Sequence, residues 1–328
     1  MNKPIVFMFS GQGSQYYQMG KELFDNDPIF QKWMIKMDDI VQRNIGRSVI
    51  NEIYHDHGRK ENKFDRTLFT HPAIFILEYA LSQVLIEGGI KPDYVLGTSL
   101  GEFTALAVSE SMEVEDVIEC LIKQAEMIES NCKQSGMLAI LDHISLYDEN
   151  PLLFQNIALA SSNFDSHFVV SGDNEKLSEV IRFLTEKKII HQLLPVSYGF
   201  HSSCIDFAEE EYTNFLSTKS FNKPVVPVMS GLLGTRLSEI PKNYLWEVVR
   251  RPILFQEALQ QLERWSDCIY LDVGPSGTLA NFTKYNLTKD STSQCYSIIT
   301  PFGQDIKNIR KIESLLKHPG NNVLIPPY

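Results

Sequence analysis

Residues 93–103 read DYVLGTSLGEF, and this stretch decides the fold class of the chain. Its first four residues predict a short apolar strand, and the residues from Glu102 onward predict a helix. Between them, residues 97–101 match the G-x-S-x-G pattern of a nucleophile elbow. A strand, a tight turn between glycines and a helix, in this order, expose a serine hydroxyl at the edge of a sheet. The stretch therefore predicts an α/β fold with Ser99 as a nucleophile.

Two backbone segments near this serine are candidate oxyanion donors. The turn leaves the Leu100 N–H free at the start of a helix, where it can donate to a developing negative charge. A second turn, GQGSQ at residues 11–15, directly follows the first predicted strand, Pro4–Phe9. It lacks the G-K-[ST] and G-x-G-x-x-G patterns of phosphate-binding loops. We expect its two glycines to let Gln12 approach the site closely.

A serine nucleophile needs a base, and histidine is the commonest one. The chain has eight histidines, and a single histidine is more often an ordinary surface or core residue. His201 is the candidate base because it follows directly on a distinct unit in the middle of the chain, where the chain is expected to return to the main cleft. That leaves Ser99 and His201 as the predicted catalytic pair.

The distinct unit covers residues 135–199 and has the β-α-β-β-α-β order of a ferredoxin-like fold. Its predicted strands and main helix are Met137–Leu141, Ile157–Ser161, His167–Ser171, Glu175–Lys187 (helix) and Ile190–Pro195. We therefore predict an α/β-hydrolase-like catalytic subdomain with a short parallel sheet, formed by residues 1–134 and 200–328, and an inserted ferredoxin-like subdomain.

Elsewhere the pattern predicts a buried helix at Pro72–Leu85 and a strand at Val225–Met229. Residues 55–67 are polar and predict a loop, and residues 319–328 predict an extended surface segment.

The composition is that of a soluble globular protein, with 43% hydrophobic and 22% charged residues in 328. A net charge of −11 argues against nucleic acid as a partner. The apolar runs are shorter than a bilayer requires, and the N-terminus has no signal-peptide pattern, so we expect a cytoplasmic protein with no membrane partner. Five widely spaced cysteines without a C-x-x-C pair predict neither a zinc site nor disulfides, and we expect no metal.

Four motifs in this order resemble the malonyl-CoA:acyl carrier protein transacylase family of fatty-acid and polyketide synthesis. They are FSGQGSQ at 9–15, GTSLGEF at 97–103, VSYGFHS at 196–202 and RPILF at 251–255, and they span nearly the whole chain.

The resemblance implies a role for each matching residue. Ser99 would form the acyl-enzyme, and the backbone N–H groups of Gln12 and Leu100 would form the oxyanion hole. His201 would act as base and then as acid, held by backbone carbonyls near Arg250–Pro252 rather than by a carboxylate. Two aspartates, Asp206 and Asp272, are available as a third member, but we expect both to be structural.

The sequence departs from this family at the residue that binds malonate. Malonyl-transferring members carry an arginine about 25 residues beyond the serine, where this chain has Gln124. Lys123 is not expected to substitute, because one residue turns a side chain by about 100° around a helix. Losing such a charged hydrogen bond removes on the order of 1.5–3 kcal/mol from malonyl binding. We therefore expect a pocket for uncharged acyl chains; its predicted substrate-binding residues are Gln124, Met127, Thr98 and Phe200.

The missing arginine and the GTSLG elbow resemble the acyl hydrolase branch found beside trans-acyltransferase polyketide synthases. This implies a proofreading enzyme that removes stalled short acyl chains, such as acetyl, from phosphopantetheine thioesters on acyl carrier protein domains. No cofactor is expected beyond that substrate-borne group, and we expect a monomer.

Three alternatives remain open. The first is a trans-acting malonyl-CoA:acyl carrier protein transacylase in which Arg250 or Arg251 supplies the missing cation. The second is a catalytically silent subunit that binds carrier proteins. The third, an unrelated esterase, is disfavoured because its fold would require the order Ser…Asp…His.

Overall fold

The computed structural model describes residues 3–54 and 62–317, which fold around two β-sheets. The loop predicted at 55–67 falls largely outside the described residues, and the segment predicted at 319–328 falls entirely outside them.

The strands are β1 Ile5–Phe9, β2 Tyr94–Gly97, β3 Gly136–Leu141, β4 Ala158–Phe164, β5 His167–Gly172, β6 Ile190–Leu193, β7 Val228–Ser230, β8 Thr235–Arg236, β9 Ile269–Asp272 and β10 Gln294–Ser297. The helices are α1 Lys21–Asn26, α2 Pro28–Ile45, α3 Val49–Tyr54, α4 Thr67–Glu87, α5 Gly101–Val108, α6 Val114–Asn131, α7 Ser145–Glu149, α8 Asn174–Lys187, α9 Glu209–Leu216, α10 Tyr244–Arg250, α11 Phe255–Trp265, α12 Thr278–Asn286 and α13 Asp305–Lys317, with a 3₁₀ helix at Ser203–Ala208.

The larger sheet has the strand order β10-β9-β1-β2-β7-β8, and its first five strands are parallel. Strand β1 lies inside it, and Val6, Phe7, Met8 and Phe9 are fully buried. A continuous apolar run is what a strand covered on both faces requires. The parallel sheet predicted from the sequence is confirmed, and β1 and β2 lie side by side, so both turns singled out above open at the same sheet edge.

Helix α4 is the longest of the described helices and is almost entirely buried. It begins at Thr67, ahead of the predicted Pro72, and nearly every residue to Leu85 is buried. Its 21 residues are long and apolar enough to cross a membrane by length and composition, a property that the sequence analysis missed. Since 83% of that apolar window is buried inside the protein, packing against α2 and α6 accounts for its composition.

The smaller sheet is antiparallel and has the order β4-β5-β3-β6. Numbered within this unit, the order is 2-3-1-4, which is that of the ferredoxin-like fold expected from the sequence. The sheet lies within residues 136–193 and has its own apolar core with α8, which includes Leu138, Val170 and Val180.

Strand β7 differs from its prediction. It begins at Val228 rather than Val225, whose side chain is 68% exposed. Prolines at 224 and 227 bracket the predicted start. Because proline has no N–H to donate to a sheet, regular pairing begins only after the second one.

Candidate active site

The Ser99 turn adopts the geometry of a nucleophile elbow. Ser99 has φ +54°, a left-handed conformation that is costly for a residue with a side chain. The flanking glycines are needed for close packing rather than for unusual dihedrals. A Cβ at Gly97 would overlap the backbone of Glu102, and a Cβ at Gly101 would overlap the Phe9 carbonyl. Strand β1 thus packs directly against the elbow and allows its sharp turn.

The first glycine of the 11–15 turn touches the nucleophile. A Cβ at Gly11 would stand 2.8 Å from Ser99 Cβ and 3.4 Å from the Leu100 nitrogen. The following residue, Gln12, therefore lies beside Ser99. Within residues 3–54 and 62–317, neither the Gln12 nor the Leu100 backbone N–H donates a hydrogen bond. Two free N–H groups next to a nucleophile are the arrangement that an oxyanion hole requires.

His201 is hydrogen-bonded to the nucleophile. Its Nε2 lies 2.8 Å from Ser99 Oγ, and its Nδ1 lies 2.7 Å from the Arg251 carbonyl oxygen. Since a carbonyl can only accept, Nδ1 carries the proton and Nε2 is left to accept from the serine hydroxyl. The His201 N–H also donates to the Val249 carbonyl at 2.8 Å. The segment after α10 thus sets the tautomer that a general base needs.

Burial and, to a smaller extent, the nearby Arg250 charge lower the pKa of His201 to about 4, against the raising effect of its hydrogen bond to the Arg251 carbonyl. The ring is therefore neutral at ordinary pH and able to accept a proton. The two aspartates considered above have other partners. Asp206 forms an ion pair with Arg250, while Asp272 accepts from the backbone N–H groups of Gly274 and Ala280. The candidate catalytic pair, Ser99 and His201, is therefore a dyad oriented by a carbonyl.

A cavity of about 420 Å³ opens at the dyad, between the two subdomains. Gln12, Thr98, Ser99, Phe200 and His201 line it, so the structure brings these sequence-predicted residues together. The smaller subdomain and α12 supply lining residues that the sequence analysis did not single out; they include Met137, Ala139, Asn163, His167, Val169 and Phe282. Alternation along β3 and β5 could have indicated the aliphatic ones, but not which face meets the other subdomain.

Two predicted substrate-binding residues do not line this cavity. Gln124 is 1% exposed, and its Nε2 donates to Tyr212 Oη at 3.2 Å. Met127 is also buried, in the main apolar core. Both lie on α6 and were singled out through the family resemblance, which gave no indication that they would lie outside the lining of this cavity.

The cavity is free of formal charge. Among its described lining residues there is no lysine, arginine, aspartate or glutamate. Arg250 pairs with Asp206, and Arg251 pairs with Glu247 at 2.7 Å with its side chain 63% exposed. Neither arginine lines the cavity, so neither stands ready there to bind a carboxylate.

Two fully buried carboxyl groups hold the turns around the dyad. Glu78 accepts from the Ser10 N–H at 2.7 Å and from Thr104 Oγ1 at 2.8 Å, and burial raises its pKa to about 8. Glu102 accepts from the Leu232 N–H and from Tyr244 Oη, and burial raises its pKa to about 7. Sequence reasoning missed both, although Glu102 belongs to the GTSLGEF motif.

The fold and the Ser99–His201 dyad together are typical of proteins that transfer acyl groups through a serine. The Acyl transferase domain family matches residues 6–318, and the chain belongs to that family.

Relatives of known name cover almost the full chain. It is 51% identical over 313 residues to the polyketide biosynthesis acyltransferase homolog PksD of Bacillus subtilis strain 168, with 95% of this chain and 97% of that protein covered. It is 47% identical over 324 residues to the homolog BaeD of Bacillus velezensis, with 98% and 100% covered. Among solved structures, the malonyl CoA-acyl carrier protein transacylase of Clostridium perfringens superposes with a TM-score of 0.78 at 25% identity, covering 96% of this chain and 100% of that one.

Proposed function

We propose that this protein is a serine acyl hydrolase of polyketide biosynthesis. It removes stalled, short, uncharged acyl chains, such as acetyl, from phosphopantetheine thioesters on acyl carrier protein domains. The observation that carries the proposal is the Ser99–His201 dyad, which opens into a cavity with no charged side chain among its described lining residues. The polyketide context is drawn from the names of the relatives, and the carrier-protein partner from the name of the similar transacylase structure.

The first half of the reaction forms an ester on the enzyme. Ser99 Oγ attacks the thioester carbonyl carbon, and its proton moves to His201 Nε2, 2.8 Å away. The backbone N–H groups of Gln12 and Leu100 donate to the oxyanion. When the C–S bond breaks, the proton on Nε2 goes to the phosphopantetheine sulfur, and the acyl group stays on Ser99.

The second half uses water. A water molecule gives a proton to His201 Nε2 and attacks the ester carbonyl from the same cavity. The bond to Ser99 Oγ then breaks, the serine regains its proton from Nε2, and the free acid leaves. In this proposal the chain needs no resident cofactor, because the substrate itself carries the phosphopantetheine.

An uncharged cavity favours neutral acyl groups over malonyl. A carboxylate moved from water into a site without a cation loses its hydration and gains no ionic partner. Acetyl and similar uncharged chains lose little hydration free energy by comparison. Arg250 and Arg251 do not supply the cation, since each is engaged by a carboxylate away from the cavity.

The second candidate is a trans-acting malonyl-CoA:acyl carrier protein transacylase. It is favoured by the names of the relatives, which are acyltransferase homologs, and by the likeness to a transacylase structure. The same dyad serves both reactions, because the acyl-enzyme can pass its acyl group to a thiol or to water. The two candidates differ in the charge of the acyl group and in its acceptor, which is water for the hydrolase and a thiol for the transacylase.

The test offers the protein acetyl- and malonyl-loaded carrier protein, and holo carrier protein with malonyl-CoA, and follows the carrier by mass spectrometry. We expect loss of acetyl with release of acetate, and no malonyl loading. Transfer of malonyl from malonyl-CoA to the holo carrier would instead establish the transacylase. The Ser99→Ala variant is the control, and failure of the wild type to be labelled by a fluorophosphonate would indicate a silent binding subunit. Cytoplasmic location and a monomeric state stay predictions.

A further inference from the structure

A chain of hydrogen bonds leads from a buried carboxyl group to the turn at residues 11–15. Glu78 Oε1 lies 2.7 Å from the Ser10 nitrogen and 3.0 Å from Ser10 Oγ. Ser10 Oγ lies 3.0 Å from Ser14 Oγ, which in turn lies 2.8 Å from the Gly11 carbonyl oxygen. None of the three side-chain-bearing residues is more than 8% exposed. We call Glu78, Ser10 and Ser14, in this order, the relay.

The relay ends on the peptide group that carries a candidate oxyanion donor. The Gly11 carbonyl and the Gln12 N–H belong to one planar peptide unit and point in opposite directions. Ser14 donates to this carbonyl from its Oγ and, at 3.3 Å, from its backbone N–H. Holding the carbonyl therefore fixes the direction of the Gln12 N–H, and a hydrogen bond at one end of a peptide group polarises the other end. The relay thus acts on the oxyanion hole through Gln12.

Counting hydrogens shows which protonation state the relay requires. Three oxygen–oxygen contacts lead from Glu78 to the Gly11 carbonyl, whereas the two serine hydroxyls bring only two hydrogens. The Ser14 hydrogen goes to Gly11, because a carbonyl can only accept. The Ser10 hydrogen then serves either Ser14 or Glu78, so both contacts are hydrogen bonds only when the carboxyl group brings a hydrogen of its own. The relay is complete when Glu78 is protonated and is broken at Ser10 when Glu78 is ionised.

The surroundings of Glu78 favour its protonated form. The carboxyl group is fully buried, and its Oε2 accepts from Thr104 Oγ1 at 2.8 Å. Burial and, to a smaller extent, the charge of Asp272 raise the pKa of Glu78 to about 8, against the lowering effect of hydrogen bonds from Thr104 and Ser10. Asp272 faces it from the end of β9 and has a raised pKa of about 6, so it is already ionised where Glu78 titrates. The relay is therefore complete at neutral pH and breaks in mildly alkaline solution.

We propose that Glu78 is a positioning residue for the oxyanion hole: in its protonated form it completes the relay that orients the Gln12 N–H toward the oxyanion. Ionisation draws the Ser10 hydrogen away from Ser14, leaves two oxygens 3.0 Å apart with no hydrogen between them, and loosens the Gly11–Gln12 peptide. The inference rests on acyl-enzyme formation, the step that both candidate functions share.

The test is the pH dependence of fluorophosphonate labelling of Ser99, measured on the full-length protein. We expect the second-order rate constant of the wild type to be level around neutral pH. Above about pH 8 it should fall roughly two- to tenfold to a lower plateau, the size of one hydrogen bond. Glu78→Gln has no titrating group, and no single atom of its amide can both accept from the Ser10 N–H and donate to Ser10 Oγ. Its rate constant should lie near the lower plateau at every pH.

Ser14→Ala is the second variant, because it removes the last link while Glu78 still ionises. It should lower the neutral rate constant by a similar factor and abolish the alkaline fall. Since the links act in series, the double variant Glu78→Gln/Ser14→Ala should be no slower than either single variant. Ser82→Ala is the matched control: its buried hydroxyl donates to the Glu78 backbone carbonyl at 2.8 Å and lies outside the relay. It should keep both the neutral rate constant and the alkaline fall.

Circular dichroism at each pH checks that every variant is folded. A merely structural role for Glu78 would leave the alkaline fall intact in Ser14→Ala, and that result would overturn the relay. Additive losses in the double variant would overturn it too, as would a wild-type rate constant that stays level well above pH 8. Absence of labelling at every pH would remove the acyl-enzyme chemistry and the relay with it. Labelling without release of acetate from an acetyl thioester would remove the hydrolase function alone.

Discussion

The Arg251 carbonyl oxygen accepts a hydrogen bond from His201 Nδ1 at 2.7 Å, in the place where a catalytic triad would have a carboxylate. A neutral carbonyl fixes the tautomer of the imidazole but stabilises its protonated form less than an aspartate does. Burial also disfavours the protonated imidazole, since it lowers the pKa of His201. These two properties lead to the first two predictions.

Removing Asp206 should leave catalysis nearly intact. Asp206 pairs with Arg250 rather than with His201, so Asp206→Asn is expected to keep acyl-enzyme formation close to the wild-type rate. His201→Ala should lower that rate by about a hundredfold to ten-thousandfold, as loss of a general base does. Fluorophosphonate labelling of Ser99 under single-turnover conditions measures both. A loss of about ten-thousandfold in Asp206→Asn is what a triad would give, and would contradict the dyad.

Activity should persist in unusually acidic solution. Because the pKa of His201 is lowered to about 4, the ring stays neutral and able to accept a proton above that value. We expect kcat/KM with acetyl thioester to be level down to about pH 5 and to fall about tenfold per unit below pH 4. Circular dichroism at each pH checks that the protein is folded. A midpoint near the ordinary histidine value of about 6.5 would show that the ring is not desolvated.

Gly101→Ala should disrupt the elbow. A Cβ at this position would overlap the Phe9 carbonyl, which belongs to a central strand and cannot move aside. The expected loss in free energy of unfolding is at or above the upper end of the ~1–3 kcal/mol range for overpacking, with loss of Ser99 labelling.

Gly46→Ala is the control for this change. Gly46 has φ +69° but nothing within 4 Å of its Cβ position. We therefore expect Gly46→Ala to lower the free energy of unfolding only by the cost of placing alanine in a left-handed backbone conformation, about 1 kcal/mol. Urea unfolding of both variants gives the comparison. Equal losses would mean that close packing against Phe9 does not matter.

Stability should decline with rising pH through ionisation of Glu78. Its folded pKa of about 8 lies above the unfolded value of about 4.5, so the folded state holds a proton that the unfolded state releases. The stability that protonated Glu78 contributes to the folded state is fully present below about pH 4.5 and is lost as the pH rises to 8. Glu78→Gln should flatten this decline by at most about 1.4 kcal/mol per pH unit. Urea unfolding at pH 6, 7 and 8 measures it; parallel curves for the two proteins would assign the decline to other groups, such as Glu102.

Gln124→Arg should increase malonyl loading by about tenfold or more, the effect of a charged hydrogen bond of 1.5–3 kcal/mol. Lys123→Arg is the matched control, because its side chain lies on the solvent side of α6 beside Glu126. Mass spectrometry of the acyl-enzyme after incubation with malonyl-CoA measures the gain. No gain in Gln124→Arg would mean that this position does not decide acyl charge.

The sequence indicated the α/β fold and the ferredoxin-like order because both depend on local patterns. Apolar runs such as Ile5–Phe9 fit only covered strands, and the glycines at 97 and 101 identify the elbow before any contact is known. Element boundaries were less exact, as β7 illustrates, because the prolines there act on pairing with a neighbouring strand that the local pattern does not include.

The sequence by itself determined that Ser99 stands on a strand–turn–helix elbow and that His201 returns to it. Only the tertiary structure decided what surrounds them. It identified the Arg251 carbonyl as the partner of His201, within the Arg250–Pro252 segment that the resemblance implied, set the smaller subdomain against the dyad to form the cavity, and left Gln124 out of the lining. The reason is physical: an elbow is fixed by sterics within a few residues, whereas burial, pKa and the walls of a cavity depend on segments that meet only when the chain is packed.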